Sequence, residues 1–449
     1  MLNEQREALD EIVVKMRAGR MRRRTFLERA MLLGLTSGAT SGLLEACSSA
    51  RRMIYWEDGG RDVSNVYVDL VKFFNERQEE IYVNYINATE DTGSRYRRIK
   101  EQFQQGKGLE IVSIDIIWVA EFAGREWIAP LDQWWPESDR RKYLPGPING
   151  CTLNGRIWAA PLHTDVGLLY YRTDFLANLG KTPPETWEQM TDLAWQAQSR
   201  GMRYGYVWQG AAYEGLICNF LEVFWGYGGS LHDSRNAKKI ALYNEKDKND
   251  PALMALQQML TWVDMSLPGT LTTYKEEDGR ALWQQDYAAF MRHWPTAYLS
   301  AQDLTTSLIV GKFDVHPMLY GGSHTVGHSC IGGWQLAINA HSSQQQRDDA
   351  WRFIQYMIGP EAQRQVALNR TLAVTLKSVY DDPDVLGRED SFFTKIKPTL
   401  LNALPRPVST QYATISDLMQ KHIHAALTRQ ASHRDALSAL QAKLQELDV

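Results

Sequence analysis

The chain has 449 residues, with 49 basic and 53 acidic side chains and a net charge of −4. That length gives two globular domains with full cores, and the near-balanced charge offers no basic face for a nucleic-acid partner. Its 15 Trp and 20 Tyr stand out; such rings fill cores, and they also present flat apolar faces with a polar edge that suit carbohydrate rings, so composition alone leaves both roles open.

Leu2, Leu9, Ile12, Val13 and Met16 share one helical face, which predicts a short amphipathic helix over 2–18. Arg22-Arg23-Arg24-Thr25-Phe26-Leu27 then heads an uncharged stretch, 30–44, too short to cross ~30 Å of hydrocarbon, which takes ~20 apolar residues. A basic head, a short apolar middle and small residues at the end make a secretory signal. The paired arginines before x-Phe-Leu resemble a bacterial twin-arginine export signal. Leu44-x-Ala46-Cys47 resembles a lipobox, with Glu45 departing from the small or apolar residue usual there. On that resemblance residues 1–46 are an N-terminal extension and signal peptide, and Cys47 carries a lipid anchor. Cys151, Cys218 and Cys330 read as buried thiols, with one pair left open to bridging.

After the leader, Met53-Ile-Tyr-Trp56 predicts a strand, and Val66, Leu70, Phe73 and Phe74 fall at helical spacing. Residues 81–86 predict a strand, 94–105 a helix, and 111–117 a buried strand with Asp115 toward its end. This alternation is that of an α/β unit with a parallel sheet, whose ligand sites lie at the carboxyl ends of the strands. Residues 155–162 read as a strand broken at Pro161, and 166–171 as another. Thr186 is placed as a helix N-cap, with Gln189 completing a capping box. From there to about 300 the pattern is helical apart from a strand at 288–291. A strand at 334–338, a helix over 347–358 stopped by Gly359-Pro360, and a helical tail from 411 complete the chain. With no repeat or low-complexity linker, two α/β domains with several crossings fit best.

Catalytic patterns are thin. Ser323 adjoins His324, but no Gly-x-Ser-x-Gly elbow is present. His316, His324 and His328 offer themselves as zinc ligands, yet Gly321, Gly322 and Gly327 make that segment a loop without fixed spacing. His422 and His424 sit two apart on a helix and point away from each other. Carboxylates are numerous, but no spacing sets two across a glycosidic bond, so a glycosidase stays as an alternative. Asp165, lodged between apolar segments, needs a partner, either backbone amides or something bound.

Six segments then agree in order: Asp115-Ile-Ile-Trp118; Asp165-Val-Gly-Leu-Leu-Tyr-Tyr-Arg172; Val207-Trp208-Gln209-Gly210 with Tyr213-Glu214-Gly215-Leu216; Trp294-Pro295; Gly332-Gly333-Trp334; and Asn402-Ala-Leu-Pro405-Arg406-Pro407. Over residues 54–445 the chain resembles the extracellular solute-binding proteins of family 1, the sugar receptors of ABC importers, and within them the trehalose/maltose-binding branch. The resemblance implies a two-lobed periplasmic-binding-protein fold, each lobe a mostly parallel sheet flanked by helices. Lobe I would comprise 52–163 plus 306–357, and lobe II 164–305 plus 358–449. Asp115 and Asp165 would accept hydrogen bonds from sugar hydroxyls, Arg406 would donate, Trp294 and Trp334 would stack, and Gly333 would let the backbone approach. Thr92, Asp62 and His163 complete the implied contacts, His163 standing where disaccharide binders place Tyr. Residues 369–377 lack the Gly and Pro usual there. Implied with these are a monomer without catalytic activity, cofactor or metal, anchored by lipid on the outer face of a bacterial membrane. It would hand an α-linked disaccharide or oligosaccharide to a permease. The alternatives are a secreted glycosidase and a metal-binding receptor using His316, His324 and His328.

Overall fold

The computed structural model describes residues 8, 12, 15, 23–33, 51–58, 66–88, 92–231, 239–265, 273–369, 372–387 and 392–447. The chain forms two units, Met1–Val112 with Ser342–Tyr356 and Ser113–His341 with Met357–Val449. The lipobox with Cys47 lies outside the described residues, as do Asp62 and most of 2–18. Among the described residues no helix is long and apolar enough to cross a membrane.

In the first unit β1 (Arg52–Asp58) and β2 (Ile81–Asn87) run parallel, Arg52 opposite Ile81 and Asp58 opposite Asn87. The helix Val66–Arg77 makes the crossover between them, and the helix Thr92–Gln104 leads on to β3 (Ile111–Asp115), which runs parallel to β1 at Trp56 and Glu57. Strand alternation sends neighbouring side chains to opposite faces. Trp56 is fully buried, with the ring centres of Tyr67, Tyr85 and Phe353 at 5.5, 4.9 and 5.5 Å. The next residue, Glu57, is held instead by Arg98, at 2.7 and 3.0 Å, and by Arg95 at 3.4 Å.

β3 ends two residues before the expected strand does. Asp115 accepts the Ile117 N–H at 3.2 Å and so caps a single 3-10 turn, Ile116–Trp118.

The second unit carries β4 (Thr152–Leu153), β5 (Arg156–Ile157), β6 (Ala160–Val166), β7 (Leu168–Arg172), β8 (Tyr204–Val207), β9 (Ala288–His293), β10 (Phe313–His316), β11 (Ile331–Ile338) and β12 (Ala373–Val374). β6 lies antiparallel to β11 on one side and to β12 on the other. β7 lies antiparallel to both β9 and β10, and β8 is parallel to β9. The α/β class is as expected, but the sheet around β7 corrects the expectation of a mostly parallel sheet. Both neighbours of β7 reach it from distant parts of the chain, so their direction is not set by local pattern.

Pro161 does not break its strand, contrary to expectation. A bulge in β11 at Trp334/Gln335 adjoins it, and β12 pairs only with His163 and Thr164, so its missing N–H costs no ladder bond to β12. The short strands β8 and β10, four residues each, have no counterpart in the sequence reading.

Gly167 alone separates β6 from β7, where the chain leaves one set of strand partners for another. A Cβ there would stand 1.8 Å from Glu222 Oε1 and 2.6 Å from Arg292 Nη2, so only glycine fits. The helix Glu214–Gly226 is buried nearly all round, as a helix inside a core must be. Trp187, Tyr206 and Trp208 surround Trp262 with ring centres 5.2, 5.1 and 6.0 Å away, so part of the tryptophan content is ordinary core. Thr186 caps the helix Trp187–Ser199 through Gln189 N at 3.2 Å, while the Gln189 side chain reaches Glu185 N at 2.9 Å, one residue before the N-cap. Cys151, Cys218 and Cys330 are all buried free thiols, so the pairing left open does not form.

Candidate ligand-binding site

Asp165 stands next to the end of β6, directly opposite Gly332 of β11. A Cβ on Gly332 would lie 3.3 Å from Asp165 Cβ and 3.4 Å from the Trp294 ring, so the bare glycine keeps a gap between carboxylate and indole. Gly333 has φ +110°, and a Cβ there would meet the His163 carbonyl at 2.4 Å; the backbone conformation and the space both demand glycine. The Gly332-Gly333 pair therefore leaves this stretch of β11 without side chains beside an acid and an aromatic ring.

The Asp165 side chain is partly exposed as a whole, yet its Oδ1 is fully buried and has no hydrogen-bond partner among the described residues. Burial, and secondarily the nearby Asp115 carboxylate, push its pKa up to about 7, with Arg292 pulling the other way. Arg406 links the remaining acids: its Nη2 is 3.6 Å from Asp115 Oδ1 and donates to Ile331 O at 3.3 Å, and its Nη1 donates to Glu214 at 2.7 Å. Glu214 is fixed in turn by the Tyr412 hydroxyl and by Ser416 Oγ at 2.5 Å. Arg406 Nε is buried without a partner among the described residues.

Trp294 follows β9. Its indole N–H points to Glu276 Oε1 at 3.4 Å, and the other oxygen of Glu276 accepts from Tyr213 at 2.9 Å. One face of the ring is covered by the Arg292 guanidinium, whose carbon is 3.9 Å from the ring centre. Trp334 sits edge-on to Trp118, ring centres 5.6 Å apart at 89°. His163 is buried on β6, opposite Trp334 on one side and Val374 on the other.

The structure thus brings Asp165, Trp294 and Gly333 together and ties Arg406 to Asp115. Thr92 opens a helix of the first unit, its side chain outside the described residues. Glu214, Glu276, Glu222 and Arg292 are missing from the sequence-derived set. Arg292 carried a readable signal: a charge within the apolar run Ala288-Ala-Phe-Met-Arg292, the same anomaly that singled out Asp165.

The histidine loop does not converge. His316 Nδ1 faces the Pro317 carbonyl at 2.9 Å and His328 Nδ1 the Asn402 carbonyl at 3.0 Å, while the His324 ring packs at Gly228. Among the described residues no three His, Cys, Asp or Glu side chains are grouped to hold a metal. A separate pocket of about 320 Å³ lies beside His316, Tyr320 and Thr399, and its carboxylate, Glu185, already accepts from Tyr320 at 2.9 Å.

The family model of bacterial extracellular solute-binding proteins matches residues 62–364. A probable ABC transporter-binding protein of Deinococcus radiodurans is 31% identical over 373 residues, covering 81% of this chain and 86% of that protein. Maltose-bound MalE3 of T. maritima superposes with a TM-score of 0.77 at 33% identity, covering 88% of this chain and 99% of that one. The GacH receptor of Streptomyces glaucescens, solved unliganded and with acarbose, shares the fold with a TM-score of 0.75 at 21% identity, over 88% of this chain and 99% of that one. The chain belongs to the bacterial extracellular solute-binding proteins, the exported receptors of ABC importers, and has their two-lobed α/β fold.

Proposed function

We propose that the protein is a lipid-anchored, non-catalytic monomer that captures an α-linked disaccharide of the maltose or trehalose kind, or a related oligosaccharide, and hands it to an importer permease. The observation that carries this reading is the buried Asp165 Oδ1, without a hydrogen-bond partner among the described residues, beside the Trp294 indole across the bare Gly332. An ionised carboxylate only accepts hydrogen bonds, and an indole face takes an apolar ring face; a pyranose supplies both. The maltose bound to the relative that is 33% identical supports the same ligand class.

In this reading Asp165 and Asp115 accept from hydroxyls, Arg406 donates through Nε, and Trp294 and Trp334 stack, with Gly333 allowing close approach. Thr92, Asp62 and His163 belong to the proposed set on resemblance alone. The sugar would bridge lobe I (52–163 plus 306–357) and lobe II (164–305 plus 358–449) and favour their closed arrangement. Moving such an equilibrium from 1:99 to 99:1 takes ~10⁴-fold tighter binding to the closed state, about 5.5 kcal/mol. A few charge-assisted hydrogen bonds of ~1.5–3 kcal/mol each suffice in scale.

Titration calorimetry of the chain from Cys47 onward against maltose, trehalose and maltotriose tests the reading. Saturable binding without cleavage is expected. No heat with any of the three overturns the ligand class, and released monosaccharide turns the reading to a glycosidase. For the anchor, Cys47→Ala is expected to shift the protein from membrane to soluble fraction; a variant that stays membrane-bound removes Cys47 from that role.

A further inference from the structure

We propose that Arg292 is the positioning residue of the sugar site: locked by Glu222, its guanidinium backs one face of Trp294, leaving the other for the sugar, and its cation lies at Gly167, two residues from the hydroxyl-accepting Asp165. This rests on the sugar-receptor reading above.

Arg292 is fully buried on β9, and its Nε and Nη2 hold the two oxygens of Glu222 at 2.8 and 2.6 Å. Glu222, buried on the helix Glu214–Gly226, also accepts the Cys330 N–H at 3.1 Å, beside the start of β11. A fully buried ion pair is a weak source of stability, since apolar residues of similar volume often replace it at no loss. Its placement here has a more specific consequence. The pair presses against Gly167, two residues beyond Asp165, at the step from β6 to β7. On its other side the guanidinium lies 3.9 Å from the centre of the Trp294 ring, a stacking distance for a planar cation.

Glu222 occupies only one edge of the guanidinium, because Nη1 has no hydrogen-bond partner among the described residues. Among the described residues, the charged and titratable groups that interact with Asp165 are Asp115, which disfavours its ionisation, Arg292, which favours it, and the hydroxyls of Tyr170 and Tyr380. Arg292 is the cation among them. Lysine would keep the charge but lose both the two-pronged grip on Glu222 and the flat face under the indole.

Two variants separate the two roles. Glu222→Gln/Arg292→Met removes the pair together, so that no lone buried charge is left to unfold the protein, and Arg292→Lys keeps the cation. The Asp165 carboxyl is titrated by carbon NMR in sugar-free protein, and Trp294 is followed by fluorine NMR of 5-fluorotryptophan protein, its resonance assigned with Trp294→Phe. The pair variant is expected to raise the Asp165 midpoint by roughly half a pH unit or more, as loss of a nearby opposite charge does. The lysine variant is expected to keep the midpoint, shift or broaden the Trp294 resonance and weaken maltose binding several-fold. An Asp165 midpoint unmoved in the pair variant, or a Trp294 resonance unmoved in the lysine variant, overturns the proposal. Both signals are read without sugar, so they decide the role of Arg292 even if the calorimetry finds no sugar ligand.

Discussion

Glu57 of the first unit and Asp165 of the second are acids near the ends of buried strands, and the protein treats them differently. Glu57 has both oxygens on Arg98, with Arg95 at 3.4 Å. Asp165 has one oxygen buried with no partner among the described residues, and the chain opposite it is Gly332-Gly333, which has no side chain to offer. A buried acid without partners is costly wherever it stands. In the first region the fold supplies the donors itself and gains a closed cluster. In the second the fold withholds them, and in the proposed function a bound hydroxyl would meet the need. The site is marked less by what gathers there than by what two glycines keep away.

Breaking the closed cluster is expected to give the largest effect. Glu57→Leu takes one of two nearby carboxylates from the buried Arg95 and removes the acid that Arg98 grips with two nitrogens, a change worth up to ~3–5 kcal/mol of unfolding free energy. Asp58 acts on Arg95 as well and draws the expected loss toward the lower end. A urea titration checks it, and a loss below ~1 kcal/mol would mean that the cluster is not what holds this unit. The corresponding change in the second region should behave in the opposite way. Asp165→Ala is expected to cost ~2–4 kcal/mol of sugar affinity, with Asp165→Asn in between, while the empty protein melts no lower than wild type. If the empty variants melt lower instead, Asp165 is satisfied from within the fold and the contrast with Glu57 is lost.

Trp334→Ala sharpens the comparison at smaller scale. The ring is half-buried against the edge of Trp118, so its loss should remove ~1–3 kcal/mol of sugar affinity and little unfolding free energy. A drop of several kcal/mol in the denaturant titration of the empty protein would place it with Trp187, Trp208 and Trp262 in the core.

Much of the first unit was legible in the sequence because its strands and helices alternate within short spans, and each element carries its own period. The second unit was less so. That β6 and β7 part at Gly167 follows from Glu222 and Arg292, which reach that point from a remote helix and strand. β8 and β10 are too short for a period to show. Asp165 was legible as a charge in an apolar run; Arg292 carried the same sign, but the strand expected at 288–291 stopped just before it. The tryptophans could not be sorted by composition. Trp294 and Trp262 differ only in what packs on them, which is a tertiary fact.

The pH dependence has the most specific sign. Burial, then Asp115, raises the Asp165 pKa from the usual carboxylate range to about 7. Its folded value therefore lies above its unfolded value of ~3.9, and between roughly pH 4 and 7 the folded protein holds a proton that the unfolded chain has released. By linkage this group stabilises the fold less and less as pH rises through that window. That is opposite to a carboxylate whose pKa folding lowers, whose contribution grows with pH. Sugar affinity should run the other way, rising through the upper part of the window as the acceptor ionises. Asp165→Asn removes the proton and with it both dependences. Melting temperatures of wild type and Asp165→Asn from pH 5 to 8 without sugar should show the wild type losing ground to the variant as pH rises, and calorimetry over the same range should show maltose affinity increasing in wild type only. Parallel curves in both experiments would mean that Asp165 keeps an ordinary carboxylate pKa and is satisfied from within the fold.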